Sequence, residues 1–111
     1  MKEINYQYYI DQLLELCKIS RLRYNLFDLS LSYPVSGQCN YVDSKIMINE
    51  PKAKSALITI AHEMGHYFSY LRNLNKDYNK DKREQLAYLY GWGILSYINS
   101  PISKEDWRGY H

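Results

Sequence analysis

Residues 61–66, Ala61-His62-Glu63-Met64-Gly65-His66, form the stretch that decides how this chain is organised. They lie in a segment whose apolar residues recur at helical spacing, and residues four apart share one face of a helix. His62 and His66 can therefore bind one metal ion, while Glu63 can polarise a metal-bound water. The alternative is two histidines that merely lie on a helix beside a solvated Glu63. With ordinary amino-acid usage, this pattern arises by chance in roughly one chain in a hundred. That low frequency favours the metal site.

A catalytic zinc site usually has three protein ligands and an open position for water, so the motif needs a further ligand. Glu84 is the best candidate, since a glutamate from the next helix is a common solution. Glu84, Ala87 or Tyr88, and Gly91 share one helical face, and its small residues would let this helix approach the metal helix closely. The metzincin arrangement is excluded, because its following glycine and histidine are Ser69 and Arg72 here.

Other roles remain open for the residues around this site. Asp81-Lys82-Arg83-Glu84 has the character of a capping box, so Glu84 could serve the helix start instead. Asp77 and Asp81 are reserve ligands, and His111 is a more remote one. Cys39, upstream of the metal helix, could be a ligand or a redox group, although a reduced thiol is the simpler interpretation for an isolated cysteine.

Hydrophobic spacing predicts an α+β fold with an N-terminal helix, a short antiparallel sheet of about three strands, the metal helix and a ligand-bearing helix. The predicted elements are a helix from about Asn5 to Ile19, an alternating segment from Tyr24 to Tyr33, strands Gln38–Val42 and Lys45–Asn49, and helices from about Lys54 to Arg72 and from about Lys82 to Asn99. The predicted buried stripe of the metal helix is Leu57, Ile60, Ala61, Met64, Phe68 and Leu71, and the next helix carries Leu86, Leu89, Tyr90, Gly93 and Tyr97 at helical spacing. Ser103 and Asp106 have capping spacing for a last helical turn, which Trp107 would pack against the core.

Composition narrows the class of protein. The chain has 111 residues, enough for one domain spanning residues 1–111. It lacks a run of about 18 apolar residues and a signal peptide, and its two cysteines form no disulfide framework, so we expect a cytoplasmic location without a membrane span. The net charge of +2 is spread over mixed acidic and basic residues, which gives no electrostatic basis for nucleic-acid binding.

The chain resembles the ImmA/IrrE family of metallopeptidases, which is common in bacteria, phages and mobile elements. The similarity extends from about Gly37 to Pro101, and its motifs are Ile58-Thr59-Ile60-Ala61-His62-Glu63-Met64-Gly65-His66-Tyr67, Glu84-x-x-Ala87 and Gly91-Trp92. Other zincins share the His-Glu-x-x-Gly-His core, so Glu84-x-x-Ala87 carries the assignment. The chain departs from the family at Tyr88, where an asparagine is usual, and it is shorter than larger relatives.

This resemblance implies a small zincin-like domain with metal ligands His62, His66 and Glu84 and a catalytic Glu63. It also implies a protein substrate, such as a helix-turn-helix repressor of a mobile element. Zinc is the expected ion, although two histidines and a carboxylate also accept manganese or iron.

The expected mechanism is proton transfer from the metal-bound water to Glu63 and then to the leaving amine. The substrate would pair with an edge strand near Gln38–Val42 or Lys45–Asn49, and Tyr88 or Tyr67 could donate to the oxyanion. The rival hypothesis is a protein that keeps the same scaffold but acts only by binding a host or repressor protein. The abundance of tyrosine, 13 residues, suits such a contact surface as well as it suits a core.

Overall fold

A computed structural model describes residues 3–31, 35–50, 53–74 and 77–109 of the chain. Their helices and strands are, in order, α1 (Tyr6–Ile19), β1 (Arg23–Leu26), β2 (Gly37–Asn40), β3 (Lys45–Ile48), α2 (Ala53–Arg72), α3 (Lys80–Tyr97) and α4 (Lys104–Gly109). The predicted α+β fold is confirmed, and the three long helices lie within two residues of their predicted bounds. Residues 32–34, at the end of the predicted alternating segment, lie outside the described ranges.

The sheet has three strands in the order β1-β3-β2. Strands β2 and β3 form the predicted antiparallel hairpin, with Gln38 opposite Met47. Strand β1 runs parallel to β3. The sheet is therefore mixed, whereas an antiparallel sheet was expected. Because β3 is the central strand, the edge strands of this sheet are β1 and β2. Of the two strands expected to pair with a substrate, β3 has no free edge, so only β2 remains.

The hairpin turn is longer than predicted. It occupies residues 41–44, where Ser44 has a left-handed φ of 50°. Val42, which was predicted to end the strand, therefore lies in the turn with 93% of its surface exposed. Ile46 and Ile48 are buried on one face of β3 while Met47 is half-buried on the other, which is the alternation of a strand with one face on the core.

Helix α2 is buried around its middle, not along one stripe. Every residue from 57 to 65 is buried, since the sheet, α1 and α3 all contact this helix. At its C-terminal end the predicted stripe fails, because Phe68 is only half-buried and Leu71 is 43% exposed. The histidines of the motif thus lie on an element that tertiary packing holds on several sides.

Glycines allow α2 and α3 to approach each other closely. A Cβ atom placed on Gly65 would lie 2.4 Å from the carbonyl oxygen of Ala87, and one on Gly91 would lie 2.9 Å from that of Ala61. These distances are too short for real carbon atoms, and the neighbouring backbone cannot give way cheaply. The predicted small-residue face of α3 is therefore the face that packs on α2, and it sets the separation of the two helices.

The larger apolar residues at helical spacing on α3 do not form its buried face. Leu89 is 57% exposed and Tyr97 is 75% exposed, whereas Ala87, Gly91 and Leu95 are buried. Close packing against α2 selects small side chains, so hydrophobic spacing alone does not identify the buried face of α3. An exposed apolar side of α3 results.

The C-terminal residues complete the core as predicted. The Ser103 hydroxyl accepts a hydrogen bond from the Asp106 backbone N–H at the start of α4. Trp107 is fully buried, and its Nε1 donates to the carbonyl oxygen of Tyr88 over 3.2 Å. Its ring also lies against Gly91, since a Cβ there would be 2.6 Å from the indole. In the described part of the chain, no helix combines the length and apolar character needed to cross a membrane.

The substitution Gly65→Ala is expected to lower the free energy of unfolding by about 1–3 kcal/mol, because the added methyl group meets backbone atoms of α3. Gly93→Ala is the matched control, since a Cβ at Gly93 meets nothing within 4 Å. We expect that control to raise stability by roughly 0.5–1 kcal/mol through helix propensity. Urea denaturation of both variants measures the difference, and equal effects of the two would contradict the proposed close packing.

Candidate metal centre

Three side chains from two helices converge on one point and form a candidate metal site. His62 Nε2 lies 3.2 Å from one carboxylate oxygen of Glu84, and His66 Nε2 lies 3.2 Å from the other. One ligand atom from each of the three residues lies within 4.8 Å of the others. The structure thus brings together the three predicted ligands, two from adjacent turns of α2 and one from α3.

The donor set and its spacing fit a small divalent ion. Ligands at 2.0–2.1 Å from a tetrahedral zinc ion lie about 3.3 Å apart, close to the histidine–carboxylate separations found here. The histidine side chains are 7% and 11% exposed, whereas that of Glu84 is 42% exposed. The cluster is therefore anchored in the core on the histidine side and open to solvent on the glutamate side.

Capping does not explain Glu84. Helix α3 begins at Lys80, and the side chain of Asn79 caps it by accepting the backbone N–H of Lys82 over 2.8 Å. Glu84 lies a full turn beyond that cap, so the capping-box interpretation was wrong. The true cap was missed because Asn79 lies within a polar stretch that contains several residues with capping ability.

The reserve ligands do not join the cluster. Among the described residues, only His62, His66 and Glu84 form a group that could hold an ion. Asp81 lies in the first turn of α3 and Asp77 precedes that helix, beside a neighbouring cavity. Cys39 lines the cleft in front of the cluster without belonging to it. His111 lies outside the described residues.

A cleft of about 650 Å³ opens onto the cluster. The edge strand β2 forms one wall through Gly37, Gln38 and Cys39, and the start of α3 forms the other through Lys80 and Arg83. The two cations give that wall a positive charge. An extended peptide could therefore lie between an edge strand and a basic rim, directly over the cluster.

Gly37 is a site residue that no sequence motif singled out. A Cβ atom on Gly37 would lie 2.6 Å from Thr59 Cγ2 and 3.0 Å from Glu63 Cγ. The absence of a side chain thus lets β2 lie against α2 beside Glu63. Only the position of Gly37 just before a predicted strand could have indicated this role.

Glu63 lines the same cleft and is only 5% exposed. Burial and, to a smaller extent, the negative charge of Glu84 together raise the pKa of Glu63 to about 8. A carboxyl group with a pKa near the working pH is suited to exchange protons with a reacting molecule. A cation held by His62, His66 and Glu84 would favour the charged form of Glu63 and so oppose this increase.

The raised pKa of Glu63 predicts a pH-dependent stability of the metal-free protein. Between its ordinary pKa of 4.5 and about 8, the folded chain holds this proton while the unfolded chain releases it. The free energy of unfolding should therefore fall as the pH rises through that window, by at most about 1.4 kcal/mol per pH unit. Urea denaturation with chelator across pH 4–9 measures the slope. A Glu63→Gln variant with the same slope as the wild type would contradict this cause.

Tyr41 is the tyrosine that the fold places at the site. Its hydroxyl lies 3.4 Å from His66 Nδ1, and its ring stacks on that of Tyr70 with centroids 4.5 Å apart. With Nδ1 donating to that hydroxyl, His66 Nε2 is unprotonated, which is the form that binds a metal. Burial raises the pKa of Tyr41 to about 12, so this phenol stays neutral.

The two tyrosines proposed as oxyanion donors do not line the cleft. Tyr67 is 5% exposed and contacts Phe68 on another side of α2. The ring of Tyr88 lies 5.7 Å from that of Trp107. Tyr41 was missed because it lies in the hairpin turn, and only the pairing of β2 with β3 brings that turn to His66.

Comparison with known proteins adds no relative to this picture. No family model, curated protein or solved structure matches the chain. The candidate metal site therefore stands on its own geometry.

Proposed function

We propose that this protein is a single-domain, zinc-dependent metallo-endopeptidase that hydrolyses a peptide bond of a protein substrate. The observation that carries the proposal is the convergence of His62, His66 and Glu84 at a cleft that a buried glutamate also lines. Two histidines and a carboxylate leave room for water in a tetrahedral zinc site, as hydrolytic zinc enzymes require. Manganese and iron are alternative ions for this donor set.

Several residues of the cleft have distinct parts in this hydrolysis. Zinc, when bound, polarises the carbonyl group and lowers the pKa of water. Glu63 accepts the proton of the attacking water at its carboxylate and delivers it to the leaving amine. The backbone of β2 pairs with the extended substrate, which places its scissile bond over the cluster. Tyr41 orients His66 through Nδ1.

The resemblance to the ImmA/IrrE family extends the proposal to a biological setting. It supports a cytoplasmic enzyme of a phage or mobile element whose substrate is a transcriptional repressor with a helix-turn-helix domain. The support is the pairing of the histidine motif with Glu84-x-x-Ala87, and Ala87 is buried where α3 packs against α2.

Metal-dependent cleavage of peptides tests the enzymatic proposal without knowledge of the substrate. Purified protein loaded with zinc is incubated with peptides from the digest of an unrelated proteome, and mass spectrometry identifies new termini. We expect new termini that share residues around the cut, that disappear with a zinc chelator, and that return when zinc is restored. A zinc-loaded protein that produces no new termini, or the same termini with chelator, would contradict the proposal.

A second function, binding without cleavage, is favoured by one observation. The exposed side of α3 carries Leu89 and Tyr97, which border an apolar groove together with Phe68 from α2. Large exposed apolar patches mark contact surfaces in many proteins. If binding is the function, the biological effect will survive both Glu63→Gln and chelator treatment, whereas an enzyme loses it in both.

A further inference from the structure

A second, smaller cavity adjoins the cleft on the side of His66. Its volume is about 190 Å³, and it shares Tyr41, His66 and Arg83 with the cleft over the metal cluster. Because a water molecule occupies roughly 30 Å³ in the liquid, the cavity has room for about six waters, or for one large side chain. A group that enters it from the cleft must pass beside a ligand of the proposed metal.

Aromatic rings form much of the lining of this cavity. Tyr41, Tyr70 and Tyr78 border it, and the first two stack with their planes only 17° apart. We call this cavity the tyrosine pocket, defined by these three residues with Ser69 and Arg83. Aromatic rings provide broad apolar faces that pack well against another ring.

Hydrogen bonds hold the other parts of the tyrosine pocket in place. Arg83 Nη1 donates to the carbonyl oxygen of Tyr78 over 2.8 Å. Ser69 is 6% exposed, and its carbonyl oxygen accepts both the backbone N–H and the side-chain amide of Asn73. The pocket is thus formed by the fold itself, before any substrate binds.

We propose that the tyrosine pocket is a substrate subsite that takes a large aromatic side chain next to the scissile bond. This proposal rests on the proposed function and adds to it the substrate class. His66 and Tyr41 line both the pocket and the cleft, so the pocket opens beside a bond held over the cluster. An aromatic side chain fits the ring-lined walls, and its uncharged body suits a pocket that carries one cation, Arg83, and one anion, Asp77.

Simple hydroxamates test the pocket without a known substrate, because the hydroxamate group chelates the metal and its substituent extends into the neighbouring space. The probes are acetohydroxamate, 3-phenylpropanohydroxamate and 6-aminohexanohydroxamate, measured by calorimetry on the zinc-loaded protein. None has a peptide backbone, so each can enter in either direction. We expect the phenyl probe to bind at least roughly tenfold more tightly than acetohydroxamate.

Variants at the tyrosines distinguish binding in the pocket from nonspecific hydrophobic binding of the phenyl probe. Tyr70→Ala removes one wall of the pocket at a position that is already 38% exposed. It should abolish most of the phenyl advantage, by which we mean the higher affinity of the phenyl probe relative to acetohydroxamate. The affinity for acetohydroxamate itself should not change. Tyr70→Phe should keep the advantage. Tyr97→Ala is the matched control, since Tyr97 is an exposed helical tyrosine that does not line the pocket.

Each outcome separates this inference from the proposed function. If no hydroxamate binds the zinc-loaded protein, the metal site itself is wrong. If all three bind with equal affinity, or if Tyr70→Ala leaves the phenyl advantage intact, the metal site stands and the aromatic subsite is wrong. Tighter binding of the amino probe than of the phenyl probe would overturn the aromatic assignment in favour of a basic side chain facing Asp77.

Discussion

Replacing Glu63 with glutamine is expected to lower the rate of peptide cleavage by about 10²- to 10⁴-fold, the usual contribution of a general base. Glutamine has nearly the same shape, so it fits a position that is 5% exposed without disturbing α2. It cannot accept a proton from water, and it does not belong to the metal cluster. The zinc content of the variant should therefore equal that of the wild type.

The measurement compares initial rates on the best peptide from the proteome digest, together with zinc content by elemental analysis. Glu105→Gln is the matched control, because it makes the same chemical change at an exposed position of α4, outside the cleft. We expect full activity and full zinc in that control. Undiminished cleavage by Glu63→Gln at full zinc occupancy would remove Glu63 from the mechanism and with it the proposed peptidase.

The parts of the fold that were predictable depend on local sequence. The bounds of α1 and α2 follow from apolar spacing over many residues, and such spacing is the strongest signal in a single sequence. The histidine pair was predictable because residues four apart lie on the same face of any helix. Glu84 was found by combining the need for a third ligand with the small face of α3, a feature that the packing against Gly65 explains.

The parts that were missed depend on contacts between distant segments. The parallel pairing of β1 with β3 joins residues more than 20 positions apart, and no local pattern encodes it. Tyr41 reaches His66 only because the hairpin folds over α2. The large apolar residues at helical spacing on α3 do not mark its buried face, because close helix packing requires small residues, against the general rule that large apolar residues are buried.

Whether Glu84 binds the ion distinguishes a three-ligand metal site from a pair of histidines that merely lie on a helix. Glu84→Ala should weaken zinc binding by more than roughly 100-fold, since even partners outside the first coordination shell are worth 10- to 100-fold in metal affinity. The effect on folding of the metal-free chain should be small, because the Glu84 side chain is 42% exposed. His62→Ala removes another proposed ligand and should give a similar loss of zinc.

Asp81→Ala is the matched control for Glu84→Ala, because it removes a carboxylate from the first turn of the same helix, outside the cluster. It should cost about 0.3–1 kcal/mol of stability through the helix dipole and leave zinc affinity unchanged. Competition with a chromophoric zinc chelator measures affinity in all three variants, and repeating it with manganese and iron(II) ranks the ions. If the Glu84→Ala variant binds zinc as tightly as the Asp81→Ala variant, the carboxylate of Glu84 only neighbours the histidines. The proposed three-ligand centre would then have to be abandoned.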